Sequence, residues 1–454
     1  MAAMAPTKND DQPLHILFFP FLLPGHLIPM ADMATVFAAR GVRCTVLTTP
    51  VQGFTIRSVV DRANDSSATG TPMSISVVPF PDVGLPPAAQ SGRDLATSGD
   101  YHDRFLQTAE LLREPFRRFL SDHHADIDAV VSDSLFHWSA HAAAEHGLPR
   151  IAFLATSMFA RACTDTLLRC NVFESCSDDP RAVVSLPGLP HRVEQRRSQM
   201  MDPTKRPHEC AMFQLVHAAD RSSYGELFNS FRELEPGYAE HYRATQLRRR
   251  AWLVGPVALA SGSVEDMREL ARGLDLSGKN FVWVIAKGST AASSDPSTPE
   301  ANRGYIIQGW APQVLILNHP AIGGFVTHCG WNSTLEAVSA GVPMVTWPRY
   351  ADQFYNEKLV VEVLGVGVGV GAEDYASCLE THRVIAGEAI AESIRRVMGE
   401  EGDGMAMRKK AKELGLMARG AVEKGGSSYD DVEQLMEELI ARRSSVGCTA
   451  DGQR

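Results

Sequence analysis

The sequence has no feature of a protein held together by disulfides or metal clusters. Its eight cysteines, at positions 44, 163, 170, 176, 210, 329, 378 and 448, form no CxxC pair and no spacing typical of a metal site. A chain of 454 residues is long enough to bury a core without such cross-links. We therefore expect free thiols and a reducing, cytoplasmic location.

A long uninterrupted apolar run is also missing. The apolar stretch at 14–30 follows KNDD rather than a basic region, and three prolines and a glycine interrupt it. It fits neither a signal peptide nor the roughly 18 apolar residues that a membrane-spanning helix requires. We expect no stable insertion into a membrane.

Two further absences exclude classes of ligand. The chain has 44 Lys and Arg against 54 Asp and Glu, a formal net charge of −10, and RRR at 248–250 is its one basic cluster of note. Nucleic acid as a partner would require clustered positive charge. No GxGxxG turn follows the first apolar strand, which argues against a dinucleotide-dependent dehydrogenase.

Polar and turn-forming residues are instead concentrated in one stretch of 44 residues, from Trp310 to Gln353. The apolar run at 321–328 and the glycine-containing helical pattern after it predict a strand, a turn and a helix, with Gly341 at the helix end. The free N–H groups at 330–334 and the positive end of the helix dipole would then meet at one point, which favours an anion.

The other polar residues of this stretch fit the remaining parts of a nucleotide sugar. His328, Asn332 and Ser333 can bond to phosphate, and the flat ring of Trp310 can stack on a base. Glu336 can accept from ribose hydroxyls, and Asp352 and Gln353 can bind a polyol at the same sheet edge. Any one of these residues alone is also compatible with capping a helix or filling a turn.

The N-terminal half contains a second candidate site. The sequence HILFFPF, a helical pattern and VRCTVLTTP predict a strand, helix, strand unit, with Gly25 and His26 in the loop after the first strand. Asp133 ends another predicted strand, DAVVSD, at the same edge of the sheet. A neutral His can remove the proton of an attacking hydroxyl, and a carboxylate behind it fixes the tautomer. A lone loop histidine is more often structural.

These motifs resemble a known family. Trp310, Gln313, His328, Gly330, Trp331, Asn332, Ser333, Glu336, Asp352 and Gln353 are similar, residue for residue, to the signature box of plant family-one UDP-glycosyltransferases. The resemblance implies an α/β fold of the GT-B type, in which two Rossmann-like doubly wound parallel-sheet domains face each other across a cleft. It also implies inverting transfer from a UDP-sugar to a small lipophilic acceptor.

The resemblance assigns roles to single residues. His26 matches the family's catalytic base, Asp133 its partner and Gly25 the acceptor side. Besides the box, the donor set includes Ala311, Thr156 and, more distantly, Ser263. Gln353 and Trp331 favour glucose, so UDP-glucose is expected as co-substrate, with no cofactor. We expect no metal, because the DxD at 126–128 lies at the start of a strand, the wrong sheet edge for a site.

Domain organisation follows from the same resemblance. It predicts an acceptor-binding domain at 1–254 and a UDP-sugar-binding domain at 255–454, whose last helix, at about 428–443, packs back on the first domain. The tail SSVGCTADGQR is expected to be disordered. The second domain begins abnormally, because no apolar strand precedes the helix that starts near Val264. A missing strand would leave a neighbouring strand with unpaired N–H and C=O groups.

Two functions are compatible with these observations. The first is an inverting UDP-glucose-dependent transferase, expected to be a monomer, that acts on a hydroxyl of a plant metabolite such as a flavonoid or terpenoid, or of a toxin. The alternative is a UDP-binding but catalytically impaired member of the family, because of the missing strand. The segment 163–221, with little periodicity, is expected to set acceptor specificity without revealing the acceptor.

Overall fold

The structure is a computed structural model that describes residues 12–66, 72–86, 89–91, 99–174, 176–245, 250–255, 265–285, 303–309, 311–375 and 383–451. The strands in chain order are β1 (His15–Phe19), β2 (Arg43–Thr48), β3 (Met73–Val77), β4 (Ala129–Asp133), β5 (Arg150–Leu154), β6 (Val183–Leu186), β7 (Val193–Arg196), β8 (Gly225–Phe228), β9 (Ala251–Leu253), β10 (Phe281–Ile285), β11 (Gly304–Gln308), β12 (Phe325–Thr327), β13 (Met344–Thr346) and β14 (Gly367–Gly369).

The helices in chain order are α1 (Pro24–Ala38), α2 (Pro50–Ser66), α3 (Gly99–Leu111), α4 (Arg113–His123), α5 (Ser139–Ala144), α6 (Met158–Arg169), α7 (Pro207–Ser222), α8 (Tyr238–Thr245), α9 (Glu265–Ser277), α10 (Gln313–Leu317), α11 (Trp331–Ala340), α12 (Gln353–Lys358), α13 (Gly387–Val397), α14 (Asp403–Val422) and α15 (Ser427–Asp451). Within the described ranges, no helix is long and apolar enough to cross a membrane.

A parallel sheet of seven strands, in the order β3-β2-β1-β4-β5-β8-β9, forms the N-terminal half. The run Ile-Leu-Phe-Phe makes β1 its buried centre, as expected for a strand covered on both faces. Phe18 packs in the cluster that contains α1 and α15, whereas Phe19 packs on the other face against α4. Strand order reverses between β1 and β4, and ligands bind at such switch points in doubly wound sheets.

The first turn of α1 differs from the prediction. His26 was expected in a loop, but α1 already begins at Pro24, which occupies the first helical turn. Proline is favourable there because its fixed φ is helical and its missing N–H would have had no partner. His26 therefore lies on a helix, which holds it more rigidly than a loop would.

The C-terminal half contains two parallel sheets, β10-β11 and β12-β13-β14. Within the described part of the chain, β10 pairs only with β11, and β12 only with β13. The segment before Val264, where the sequence predicts a missing strand, lies outside the described residues, so that expectation stays a prediction. Trp283 and Ile285 on β10 nevertheless pack with Val345 and Val368 of the other sheet in one apolar cluster, which holds the two sheets together.

Helix α15 lies against the N-terminal half, and it contacts β9. Asp431 accepts a hydrogen bond from the backbone N–H of Leu253, at 2.8 Å, and Arg443 donates to the carbonyl of Gln12, at 3.0 Å. The prediction of a disordered tail was wrong for 444–451, because α15 continues to Asp451. The added segment contains no proline, and its single glycine costs only about 1 kcal/mol. The predicted domain boundary at 254/255 stays a prediction.

The split sheet generates a stability prediction. Val282 and Val284 on β10 are 42% and 44% exposed, although parallel strands are normally covered on both faces. Insertion, before Val264, of the strand and Gly-Ser turn found in a full-length family member should therefore raise the melting temperature by about 5 °C, since 1 kcal/mol corresponds to roughly 2–4 °C in a domain of this size.

The control is an insert of equal length made of Gly and Ser, which adds no strand. Differential scanning fluorimetry would measure both variants. Equal melting temperatures for the strand insert, the Gly-Ser insert and the unmodified chain would contradict the prediction.

Candidate active site

The two predicted catalytic residues are hydrogen-bonded. His26 Nδ1 lies 2.8 Å from Asp133 Oδ2, and Asp133 is 1% exposed. Because an ionised carboxylate only accepts, Nδ1 carries the proton and the lone pair is on Nε2. Burial disfavours the imidazolium, but the charge and the hydrogen bond of Asp133, with a contribution from Asp352, raise the pKa of His26 above its usual value. This arrangement is that of a general base with an orienting carboxylate.

Strand pairing explains why the two side chains meet. Strands β1 and β4 are adjacent and parallel, with Phe19 opposite Ser132. Their carboxyl ends therefore lie side by side, and the first turn of α1 places His26 over the end of β4. Asp133 is fixed in turn, since its Oδ1 accepts from the N–H of Leu135 at 3.0 Å.

A proline in α1 is connected with a contact between the turn that carries His26 and the C-terminal half. Pro29 lies inside α1 and has no N–H to donate to the carbonyl of Gly25, four residues earlier. That carbonyl instead accepts from Asn332 Nδ2, at 2.8 Å. The predicted acceptor-side residue Gly25 thus contacts the predicted donor-site residue Asn332, directly beside His26.

The N-terminus of α11 is built as predicted for an anion site. Gly330 precedes the helix, and no side chain caps its first turn. A Cβ at Gly330 would lie 2.4 Å from His328 Nε2, so this close approach requires glycine. Burial lowers the pKa of His328 to about 4. His328 is therefore neutral at pH 7 and can donate one N–H to a phosphate oxygen.

Glu336, the predicted ribose contact, has one carboxylate oxygen that is bonded and one that, within the described residues, is not. Gln313 donates to Glu336 Oε2 and, at 3.3 Å, to Ser333 Oγ. The other oxygen, Oε1, is buried and has no hydrogen-bond partner in the described structure. Burial raises the pKa of Glu336 to about 7, against the effect of the Gln313 hydrogen bond. A buried acceptor without a partner is costly, and a ribose hydroxyl would satisfy it.

The sugar end of the predicted donor site is made by both halves of the chain. Thr156 and Asp352 were both predicted to contact the donor sugar. In the structure the Thr156 hydroxyl donates to Asp352 Oδ2, at 2.6 Å. Gln353 Oε1 accepts from the N–H of Arg349, at 2.8 Å. The indole N–H of Trp331 donates to the carbonyl of Asn229, at 2.6 Å, which directs this residue toward the N-terminal half.

Three predicted donor-site residues remain to be placed. Trp310 and Ser263 lie outside the described residues. Ala311 is buried, 7% exposed, just before α10. Among the residues that the structure describes, no group of three or more His, Cys, Asp or Glu could hold a metal ion.

The sequence reasoning missed Asn356 and Gln195, which also join the two halves. Asn356 Oδ1 accepts from Ser157, at 3.0 Å, and Gln195 donates to the carbonyl of Phe354, at 2.9 Å. The available signal for Asn356 was its position four residues after Asp352, hence on the same helical face. No sequence signal pairs Gln195 with a residue 159 positions away.

Comparisons with known proteins agree with this geometry. Residues 256–391 match the family model described as UDP-glucoronosyl and UDP-glucosyl transferase. A scopoletin glucosyltransferase of Nicotiana tabacum is 38% identical over 489 aligned positions, which cover 96% of this chain and 99% of the relative. An anthocyanin 3'-O-beta-glucosyltransferase of Gentiana triflora is 36% identical, and the alignment covers 94% of this chain and 98% of the relative.

Solved structures give the same result. UGT73P12 of Glycyrrhiza uralensis, complexed with glycyrrhetinic acid 3-O-monoglucuronide, superposes with a TM-score of 0.87 at 32% identity and covers 97% of this chain and 99% of its own. UGT71G1 of Medicago truncatula, complexed with UDP-glucose, has a TM-score of 0.76 at 25% identity. The superposition covers 94% of this chain and 98% of the UGT71G1 chain.

The chain belongs to the plant family-one UDP-glycosyltransferases. It is a glycosyltransferase, and the predicted GT-B fold is confirmed. The alignment with the tobacco relative is longer than this chain, so the relative has segments without a counterpart here. The comparisons do not favour the alternative of an impaired UDP-binding protein.

The raised pKa of Glu336 predicts a pH dependence of donor binding. A carboxylate accepts from ribose hydroxyls more strongly than the neutral acid does. With a pKa of about 7, Glu336 is mostly neutral below pH 6 and mostly ionised above pH 8. We expect the Kd for UDP-glucose to fall as pH rises from 5.5 to 8.5, and we expect this dependence to be much weaker in Glu336→Gln.

Isothermal titration calorimetry measures both proteins at each pH. UDP-glucose is the preferred ligand because its diphosphate diester does not titrate in this range. A wild-type Kd that is flat with pH, or a Glu336→Gln curve parallel to the wild-type curve, would show that Glu336 does not bind the ribose as its ionised form.

Proposed function

We propose that this chain transfers glucose, with inversion, from UDP-glucose to a hydroxyl of a small lipophilic plant metabolite. The observation that carries the proposal is the position of the His26–Asp133 pair. The first turn of α1, which contains His26, is hydrogen-bonded through the Gly25 carbonyl to Asn332 at the start of α11. A base and a nucleotide-sugar site this close together suit attack by an acceptor hydroxyl on the anomeric carbon.

The proposed reaction requires one proton transfer and one displacement. His26 Nε2 takes the acceptor proton while the acceptor oxygen bonds to the anomeric carbon of glucose. The bond from that carbon to the diphosphate oxygen breaks, and UDP leaves with the bonding electrons. Asp133 stabilises the imidazolium, and the N-terminus of α11 with the His328 N–H stabilises the leaving diphosphate. Because these groups stabilise the negative charge of the leaving diphosphate, we propose that the reaction needs no metal.

The proposal of a lipophilic acceptor draws on the names of the relatives, while the aromatic residues next to His26 belong to the core. The ring of Phe21 meets His26 edge-on, with centroids 5.6 Å apart, and Phe136 packs on Phe21 at 5.3 Å. Both rings are buried in a core cluster, with Phe21 3% and Phe136 0% exposed, so they support the base from behind and leave the acceptor side to other residues. Relatives are named for scopoletin and for anthocyanin, which are phenolic compounds.

The choice of glucose is supported by the relatives' names. Several are glucosyltransferases, although one relative, 35% identical, is named as a soyasapogenol B glucuronide galactosyltransferase of Glycine max. UDP-galactose is therefore the second donor to test. We further propose a monomer in the cytoplasm, in line with the free cysteines at positions 44, 163, 170, 176, 210 and 329.

The direct test is an acceptor panel. Purified protein is incubated with UDP-glucose or UDP-galactose and with scopoletin, a flavonol, an anthocyanidin and a triterpenoid, in the presence of EDTA. We expect glucoside and UDP in equal amounts with at least one phenolic acceptor. UDP release without glycoside from every acceptor, or activity that requires added divalent metal, would contradict the proposal.

The catalytic assignment predicts the behaviour of two variants. His26→Ala should lower kcat by a factor on the order of 10² to 10⁴, because the base is lost, and leave the Kd for UDP within a few-fold. Asp133→Asn should lower kcat by a similar or smaller factor. Parallel loss of kcat and of UDP binding in His26→Ala would indicate a structural role for His26 instead.

A further inference from the structure

Asn356 is a fully buried amide at the meeting point of three parts of the active site. Its Nδ2 donates to the carbonyl of Cys329, at 2.9 Å, and to Asp352 Oδ2, at 3.0 Å. Its Oδ1 accepts from the hydroxyl of Ser157, at 3.0 Å, across the boundary between the two halves. The side chain is 0% exposed, so these bonds replace all contact with water.

The chemistry of the partners fixes the orientation of the amide. Ser157 Oγ already accepts from the N–H of Ala160, as the N-cap of α6, so its own proton is available for Asn356 Oδ1. The Cys329 carbonyl and the Asp352 carboxylate only accept, so the atom that faces them must be the NH₂ group. Asp at this position would have the same shape and would turn an acceptor toward two acceptors.

The three hydrogen-bond partners of Asn356 lie in parts of the site with different proposed roles. Cys329 has a φ of +63°, unusual for a residue with a side chain, and this turn aims α11 at the proposed diphosphate. Asp352 is the proposed sugar contact. Ser157 begins α6 in the N-terminal half, next to Thr156, which also bonds to Asp352. One amide therefore ties the strained turn, the sugar carboxylate and the opposite half of the cleft together.

We propose that Asn356 is a positioning residue, which holds the sugar-binding carboxylate and the diphosphate-binding helix in register with the half that carries the catalytic base. Asn356 does not touch the substrates in this arrangement. The inference rests on the proposed function, and it assigns a role to a residue outside the 44-residue box.

The test compares Asn356→Ala and Asn356→Asp with the wild type. Asn356→Ala should raise the KM and the Kd for UDP-glucose by about tenfold and lower kcat by about tenfold, because small misplacements of reacting groups are costly. More of the consumed UDP-glucose should appear as free glucose, since water competes better when sugar and acceptor are out of register. Asn356→Asp should be no better than Asn356→Ala, although its shape is that of Asn.

The matched control is Ser393→Ala on α13. Ser393 is also buried, and its hydroxyl bonds to the carbonyls of Gly369 and Ala389 away from the cleft. This control should lower the melting temperature without a change in KM or in the fraction of donor hydrolysed. Kinetics are measured well below the melting temperature of every variant, on protein shown to be folded.

The outcomes separate this inference from the proposed function. Wild-type KM, Kd and hydrolysis in Asn356→Ala, or full activity in Asn356→Asp, would overturn the positioning role while wild-type glucoside formation supports the function. Absence of glucoside from the wild type would overturn the function. The calorimetric Kd for UDP-glucose then still decides the inference, because it requires no turnover.

Discussion

Hydrogen bonds across the boundary between the two halves are the constraint on which the rest of the site depends. The proposed base on α1 and its carboxylate at the end of β4 belong to the N-terminal half, and the proposed donor site belongs to the C-terminal half. Pro29 leaves the Gly25 carbonyl without its helical N–H, and Asn332 takes that place. A local feature of the first helix thereby creates a contact between the start of α11 and the turn that carries His26.

The same boundary explains how the sugar end of the site is built. The Asp352 carboxylate is buried, which raises its pKa, and the hydrogen bonds from Thr156 and Asn356 oppose that rise. A buried carboxylate without donors would be strongly destabilising, and these two bonds offset part of that cost. The carboxylate proposed to bind the sugar is thus held by groups from both halves of the chain.

Much of the architecture was predictable because it follows from local patterns. Apolar runs predicted the strands, and the rule that parallel strands end at one edge of a sheet predicted that His26 and Asp133 lie close together. The order of glycine and polar residues at 328–336 likewise predicted an anion-binding helix start. The expectation of an interrupted second sheet came from the absence of an apolar run before Val264, and it stays a prediction because 256–264 lie outside the described residues.

Contacts between distant segments were not predictable from one sequence. Thr156 and Asp352 are 196 positions apart, and nothing in either segment indicates that they pair. The assignment of Trp331 and Asn332 to the donor stays a prediction, and their hydrogen bonds to the N-terminal half had no signal in the sequence. The end of α15 was misjudged because polar small residues at a chain end are compatible with either helix or disorder.

The central claim is that the His26 half and the donor half act together in a single displacement at the anomeric carbon. Proton NMR of the glucoside formed by the wild-type protein from UDP-glucose, in which glucose is α-linked, tests this most directly. The account predicts a product that is β-linked from the earliest time point. An α-linked glucoside, or a mixture present from the start of the reaction, would contradict it.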